Sequence, residues 1–296
     1  MIEAFVEVNT AFPWFFALVA GSFGACVGSF LNVVIYRLPA GRSVVHPGSA
    51  CGCGTAIAWY DNIPVLSWCL LGGRARCCKA RFSVRYPLVE AMNSFLFVVA
   101  WMSYPPLVAI VICVFIGLLV PAAMIDLDTM EIPDVFSIGT FVVGVILSIA
   151  VPALHIAPVG LFAVDSMNSF IQCLLGAFVG SGLILWLALL SEVVLRKETM
   201  GFGDVKLLGA IGAFLGWQGA VFSLFGGAVF GTLLIIPMLI FRKKKQVVPI
   251  DDAEEEGEGL RIPFGPALVI GALVYALLLH DFVDNYFLQF SEVLSL

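Results

Sequence analysis

Six stretches of the chain carry no charge: Val8–Tyr36, Ala91–Ile125, Val135–Val164, Ser166–Ser191, Leu207–Phe241 and Ile262–His280. A helix that crosses a bilayer needs roughly 20 mostly apolar residues, so each stretch can supply at least one crossing. The second and fifth are long enough for two, and each breaks internally, at Tyr104-Pro105-Pro106 and at Trp217-Gln218-Gly219. The pattern predicts an all-α polytopic membrane protein with about eight transmembrane helices. Its shortest span is Asp204 to Trp217, which could be re-entrant if the distribution of basic residues allowed it.

Composition agrees with that class. Of 296 residues, 61% are hydrophobic and 12% charged, with a formal net charge of −6. Such a balance fits lipid as the surrounding phase and offers no basic surface for nucleic acid. The 15 Lys and Arg residues fall in three segments that the predicted topology puts on one side. Arg37 to Arg85 follow the first helix, Arg196, Lys197 and Lys206 flank a glycine motif, and Arg242 to Arg261 precede the last helix. Basic loops stay in the cytosol, so that side is the cytosol and the N-terminus lies outside. A re-entrant Asp204–Trp217 would move Arg242 to Lys245 outside, which argues for a full crossing. Glu3 and Glu7 open the first helix where a signal peptide would be basic, so it reads as retained.

This topology divides the chain into a first transmembrane helix (1–37), a cytosolic Cys-containing loop subdomain (38–87) and a seven-helix core (88–296) with an acidic cytosolic loop (242–261). The run from Asp251 to Glu258 reads as a solvated linker, or as an acidic lure for a basic substrate tail. The 38–87 subdomain is too small to bury much core, so a metal or membrane docking has to order it. Cys51, Cys53, Cys77 and Cys78 are its candidate zinc ligands, because a reducing cytosol disfavours structural disulfides. Their spacing favours free thiols instead: the adjacent pair Cys77-Cys78 is not expected to aim both sulfurs at one metal. Cys26, Cys113 and Cys173, inside apolar helices, read as small buried hydrophobes.

Acidic side chains carry the chemistry. Acids in or beside hydrocarbon are expensive to keep, which makes them functional candidates. Asp126 closes the second apolar run and is expected to face the bundle interior, whereas Asp128 and Glu131 can face water. Asp134 follows Pro133 at a helix start and suits an N-cap. Asp204 lies in Gly201-Phe202-Gly203-Asp204-Val205-Lys206, where it too could cap a helix, but Gly201 and Gly203 allow a peptide to approach the backbone closely. Lys206 could bias the acids electrostatically or anchor the helix at the membrane surface. Two carboxylates in a poorly solvated site cannot both ionise easily; one can polarise a carbonyl while the other activates water. Asp126 and Asp204 therefore suggest an intramembrane aspartyl protease that needs no metal for hydrolysis. An ion or proton relay in a transporter or channel is the alternative, although such sites lie near the midplane between repeated halves and no repeat is visible.

Motifs along nearly the whole chain resemble those of the bacterial prepilin peptidases, or type IV leader peptidases. Gly28-Ser29-Phe30-Leu31-Asn32-Val33-Val34-Ile35-Tyr36-Arg37-Leu38-Pro39 is similar to the family's first-helix signature, and Asp61-Asn62-Ile63-Pro64-Val65-Leu66-Ser67-Trp68 to its cytosolic-loop motif, continued by Arg85-Tyr86-Pro87-Leu88-Val89-Glu90. Ile125-Asp126 through Pro133-Asp134, Gly201 to Lys206, and Ile262-Pro263-Phe264-Gly265-Pro266 resemble its core motifs. The resemblance implies that Asp126 and Asp204 are the catalytic pair and that Gly201, Gly203, Lys206, Pro133 and Asp134 shape the site. It implies cleavage of the leader from type IV prepilins or type II secretion pseudopilins at the cytosolic face of the bacterial inner membrane. It also implies N-methylation of the new N-terminus with S-adenosylmethionine. The family usually carries two Cys-x-x-Cys pairs in this loop; here Cys51 and Cys53 are one residue closer, and Ala75 stands where the second pair would begin.

Overall fold

The computed structural model describes residues 2–195, 201–242 and 263–294. Ten α-helices account for almost all of its regular structure: α1 (Ile2–Ala11), α2 (Pro13–Arg37), α3 (Leu66–Leu70), α4 (Arg85–Ser103), α5 (Pro106–Thr129), α6 (Asp134–Ala150), α7 (Phe162–Leu195), α8 (Phe202–Arg242), α9 (Gly265–Val274) and α10 (His280–Leu294). Among the described residues, extended pairing is confined to two isolated bridges, Ala50 with Ala56 and Arg74 with Arg81. Pro13 starts α2 at a position where its missing N–H costs nothing, so the first long helix begins after a break at Phe12, not within one run from Val8.

By length and composition, α2, α5, α7, residues Phe202–Leu233 of α8 and the stretch Gly265–Gln289 can each cross a membrane. Among the described residues these five are fewer than the expected eight, for identifiable reasons. Helix α4 carries Arg85, Glu90, Asn93 and Ser94, and α6 is shorter than a full crossing. Helix α8 is two helical segments that meet at a kink at Gly216 (φ 70, ψ −177), just before the predicted break at Trp217-Gln218-Gly219. That backbone conformation is open to glycine and closed to its bulkier neighbours.

Two compact units form. The first joins Met1–Ile125 with Ile146–Phe170. Its central contact is α2 against α4. Gly21, Gly24 and Gly28 present the bare side of α2, where added Cβ atoms would strike Val98, Phe97 and the Glu90 backbone. Close approach lets side chains of α4 reach the α2 backbone: Asn93 Nδ2 donates to Gly24 O and Ser94 Oγ to Gly21 O, both at 2.8 Å. Small residues with polar cross-links are how apolar helices associate when both faces and the solvent are equally greasy.

The second unit joins Asp126–Val145 with Ile171–Leu296. Gly176 of α7 and Gly212 of α8 meet so closely that a Cβ on either would overlap the other's carbonyl. Phe214 of α8 packs against Gly144 of α6, and Gly227 of α8 against Ala267 of α9. The N-terminal half of α8 is thus fixed on several sides, and it carries Asp204.

The acidic run Asp251–Glu258, with 243–262 as a whole, lies outside the described residues, as do Arg196 and Lys197.

Candidate active site

Asp126 occupies the last turn of α5, immediately after the apolar run, and only 5% of it is exposed. Met130 ends that turn at φ 59, its N–H donating to Asp126 O at 2.9 Å. A left-handed residue at this point closes the helix and sends the chain toward α6. Gly265 opens α9, where a first-turn N–H has no helical acceptor. It donates instead to Asp126 Oδ2 at 3.1 Å. The carboxylate therefore sits at the N-terminal end of a helix, and the bond fixes its orientation.

Asp204 lies in the first turn of α8 and is 8% exposed. Its own N–H donates to Gly201 O at 3.1 Å, and its Oδ2 lies 3.8 Å from where a Cβ on Gly201 would stand. Ile132, in the turn between α5 and α6, joins the two halves of the site. A Cβ on Gly203 would be 3.3 Å from Ile132 Cβ, and one on Gly265 would be 3.0 Å from Ile132 Cδ1. The Asp204 loop and the Asp126 anchor are thus packed on one side chain.

The neighbouring acids differ as expected in exposure: Asp128 and Glu131 are exposed. Asp134 is not an N-cap in the way its position suggested, since it is already the first helical residue of α6. Its carboxylate accepts a hydrogen bond from Lys206 Nζ at 2.7 Å, and that ammonium also lies 5.4 Å from the centre of the Phe202 ring. Lys206 therefore clamps α8 to α6 beside the acids instead of serving only as a surface anchor.

In the first unit the four candidate ligand cysteines converge. Their sulfurs all lie within 4.8 Å of one another. Cys51 and Cys78 are 3.4 Å apart, as are Cys53 and Cys77. Four thiolates around zinc at about 2.3 Å stand roughly 3.8 Å apart, so this set matches a tetrahedral site. The expectation that Cys77 and Cys78 could not face one metal is corrected. Lys79 adopts φ 59, and the N–H groups of Ala75 and Lys79 bond Ala80 O and Ala75 O, which curls the chain and turns both sulfurs inward. Opposite, Gly54 (φ 87) closes a tight turn on Cys51. Hydrogen bonding with the Thr55 side chain and then its backbone brings the Cys53 thiol down to about 6, whereas the bond to Cys53 raises Cys77 to about 12. Cys69 stands outside the cluster. Of the helical cysteines Cys173 is buried and Cys113 partly so, but Cys26 is exposed on α2.

Comparison with known proteins decides the family. Residues 22–104 match the Bacterial Peptidase A24 N-terminal domain, and residues 113–236 match the Type IV leader peptidase family. A protein named prepilin leader peptidase/N-methyltransferase from Aeromonas salmonicida is 31% identical over 96% of this chain and 98% of its own length. The chain belongs to the type IV leader peptidase family.

Relatives bearing the same name include those of Pseudomonas aeruginosa, 34% identical over 94% of this chain and 96% of the relative, and of Myxococcus xanthus, 38% identical over 75% of this chain. The match spans 64% of the Myxococcus protein, just under two thirds of its length. No solved structure matches the chain. Within this leader peptidase, the N-terminal match holds the C-terminal part of α2, the cysteine cluster and α4, and the second match holds Asp126 and Asp204. Family membership favours peptide hydrolysis over an ion relay. Two residues of the site escaped sequence reasoning in their roles. Gly265 was visible only as part of a motif, and Ile132 as an ordinary apolar residue; a glycine followed by proline at a helix start was the available signal for the first.

Proposed function

We propose that this chain is a prepilin leader peptidase and N-methyltransferase in which Asp126 and Asp204 carry out the hydrolysis. The observation that carries this reading is the burial of two carboxylates, one oriented by the Gly265 N–H and both held by segments packed on Ile132, in a member of the leader peptidase family. The carboxylate that is ionised takes a proton from a bound water, whose oxygen bonds to the scissile carbonyl carbon. The carboxyl that is protonated donates to the carbonyl oxygen. Collapse of the tetrahedral species breaks the C–N bond: the leaving nitrogen takes up the proton held by the first acid, and the second acid recovers its proton from a hydroxyl of the new carboxyl group. No metal takes part. Gly201 and Gly203 leave room for an extended peptide, and Pro133, Asp134 and Lys206 hold the surrounding turn.

The substrates are the N-terminal segments of prepilins or pseudopilins, apolar helices behind a short basic leader. Their cleavage point coincides with the membrane boundary at which the two acids lie, in the inner membrane and facing the cytosol. Cys51, Cys53, Cys77 and Cys78 hold zinc, whose role is to order the 38–87 segment. S-adenosylmethionine supplies the methyl group for the new N-terminus.

Membranes containing Asp126→Asn or Asp204→Asn, each at wild-type protein level, are expected to leave a prepilin uncut. Shortening of the prepilin at the wild-type rate by either variant would remove the assignment.

A further inference from the structure

The aspartate pair accounts for one of the two activities in the relatives' name, and the second needs a place for a methyl donor. A cavity of about 820 Å³ opens in the first unit, between α2, the N-terminal end of α4 and the cysteine-bearing segment. Its size falls in the usual range for pockets that hold a small organic ligand. Asn32, Tyr60, Trp68, Arg74, Tyr86 and Glu90 are among the residues that line it.

Two of these have unspent binding capacity. Glu90 is 9% exposed and makes no ion pair among the described residues. One of its oxygens, Oε2, accepts the Val65 N–H at 2.7 Å. Of the arginines that line the cavity, Arg76 pairs with Asp61, Arg37 donates to the carbonyls of Ser43, Pro47 and Gly48, and neither Arg42 nor Arg74 forms an ion pair with Glu90. Asn32 donates through Nδ2 to Tyr86 O at 3.1 Å, leaving Oδ1 unused by the described residues. A buried carboxylate outside any ion pair and a spare amide oxygen are costly unless a ligand completes them.

We infer that this cavity binds S-adenosylmethionine and that Glu90 recognises the positive charge of its sulfonium. The inference rests on the N-methyltransferase reading proposed above. The ligand's chemistry meets the lining: a cation for Glu90, a flat purine for Trp68 and Tyr86, and a heteroatom donor for Asn32. Methyl transfer to the new N-terminal amine breaks the S–CH3 bond with both electrons left on sulfur, forms N–CH3 and releases one amine proton to water. The spent donor is a neutral thioether. A carboxylate that faces the sulfonium therefore holds the donor more tightly than the product, which helps the site to empty after each transfer.

Glu90 also supports the backbone at Val65, which sits at φ 61, a region β-branched residues avoid. The test must separate that role from charge recognition. Glu90→Gln keeps an oxygen for the Val65 N–H and removes only the charge. Calorimetry on the purified full-length protein in detergent would measure the affinities for S-adenosylmethionine and for S-adenosylhomocysteine, its thioether product. The variant is expected to weaken the sulfonium ligand by about tenfold and the thioether by less than about threefold, in line with loss of one charge-assisted contact. Equal weakening of both, or unchanged affinity for both, would overturn the charge-recognition role. Independently, ultraviolet crosslinking of wild-type protein with methyl-labelled S-adenosylmethionine is expected to label peptides from residues 29–90. Label on peptides of the second unit would overturn the cavity assignment while leaving the methyltransferase reading intact. A wild-type protein that cuts prepilin but never methylates it would remove that reading, and this inference with it.

Discussion

Gly265 donates its backbone N–H to Asp126 Oδ2 at 3.1 Å, and a Cβ on the same residue would lie 2.5 Å from that oxygen. The donor and the missing side chain are one requirement: the helix end can approach the acid only because nothing projects from it. Gly265→Ala is therefore expected to push the carboxylate aside and lower prepilin cleavage by about a hundredfold, the usual result of displacing a catalytic group by an ångström. A gel assay of prepilin processing, normalised to protein level, checks it; wild-type cleavage by Gly265→Ala would show that the contact does not position the acid.

The Lys206–Asp134 pair is half in water, with 30% and 63% of the two side chains exposed, so its direct worth is below about 1 kcal/mol. Asp134→Asn and Lys206→Met are expected to reduce cleavage only about two- to fivefold each, and the double variant no further, because both remove the same clamp. The effect should shrink at high salt. Additive losses in a cycle of the three variants would mean that the residues act separately.

Gly176 and Gly182 lie on the same helix and have opposite surroundings. A Cβ at 176 would overlap the Gly212 carbonyl, whereas one at 182 meets nothing within 4 Å. Gly176→Ala is expected to cost about 1–3 kcal/mol by forcing α7 from α8. Gly182→Ala should be neutral or stabilise by up to about 1 kcal/mol through helix propensity. Thermal unfolding of the two variants in detergent compares them directly, and similar shifts for both would contradict the close packing.

Purified protein is expected to contain one zinc per chain, lost in a Cys51→Ser/Cys78→Ser variant. Chelation should then expose the segment from Arg74 to Arg85 to trypsin, because the metal replaces the core this segment lacks. Metal-free wild-type protein that resists trypsin as well as the zinc-loaded form would show that the turns at Gly54 and Lys79 hold the fold unaided.

Much of this protein was legible from local pattern. An apolar run long enough to cross a bilayer must be helical, since lipid offers no partner for its backbone groups, so α2, α5, α7 and α8 followed from the sequence. The cost of an acid beside hydrocarbon marked Asp126 and Asp204 in the same way. Their motifs identified the family, as the comparisons then showed.

Tertiary structure decided what depends on residues far apart in the chain. Spacing argued against Cys77 and Cys78 facing one metal, and a left-handed turn at Lys79 with a facing turn at Gly54 brought four sulfurs within 4.8 Å of one another. The break in α8 fell at Gly216 because only glycine there can leave the helical region. Nothing near Asp126 in sequence announced Gly265 or Ile132 as its surroundings, and nothing near Glu90 announced a cavity. Hydrophobicity acts on each segment through the solvent around it, so a sequence reveals it; the meeting of a carboxylate with a helix end or of four sulfurs with each other is set by packing, which no segment contains alone.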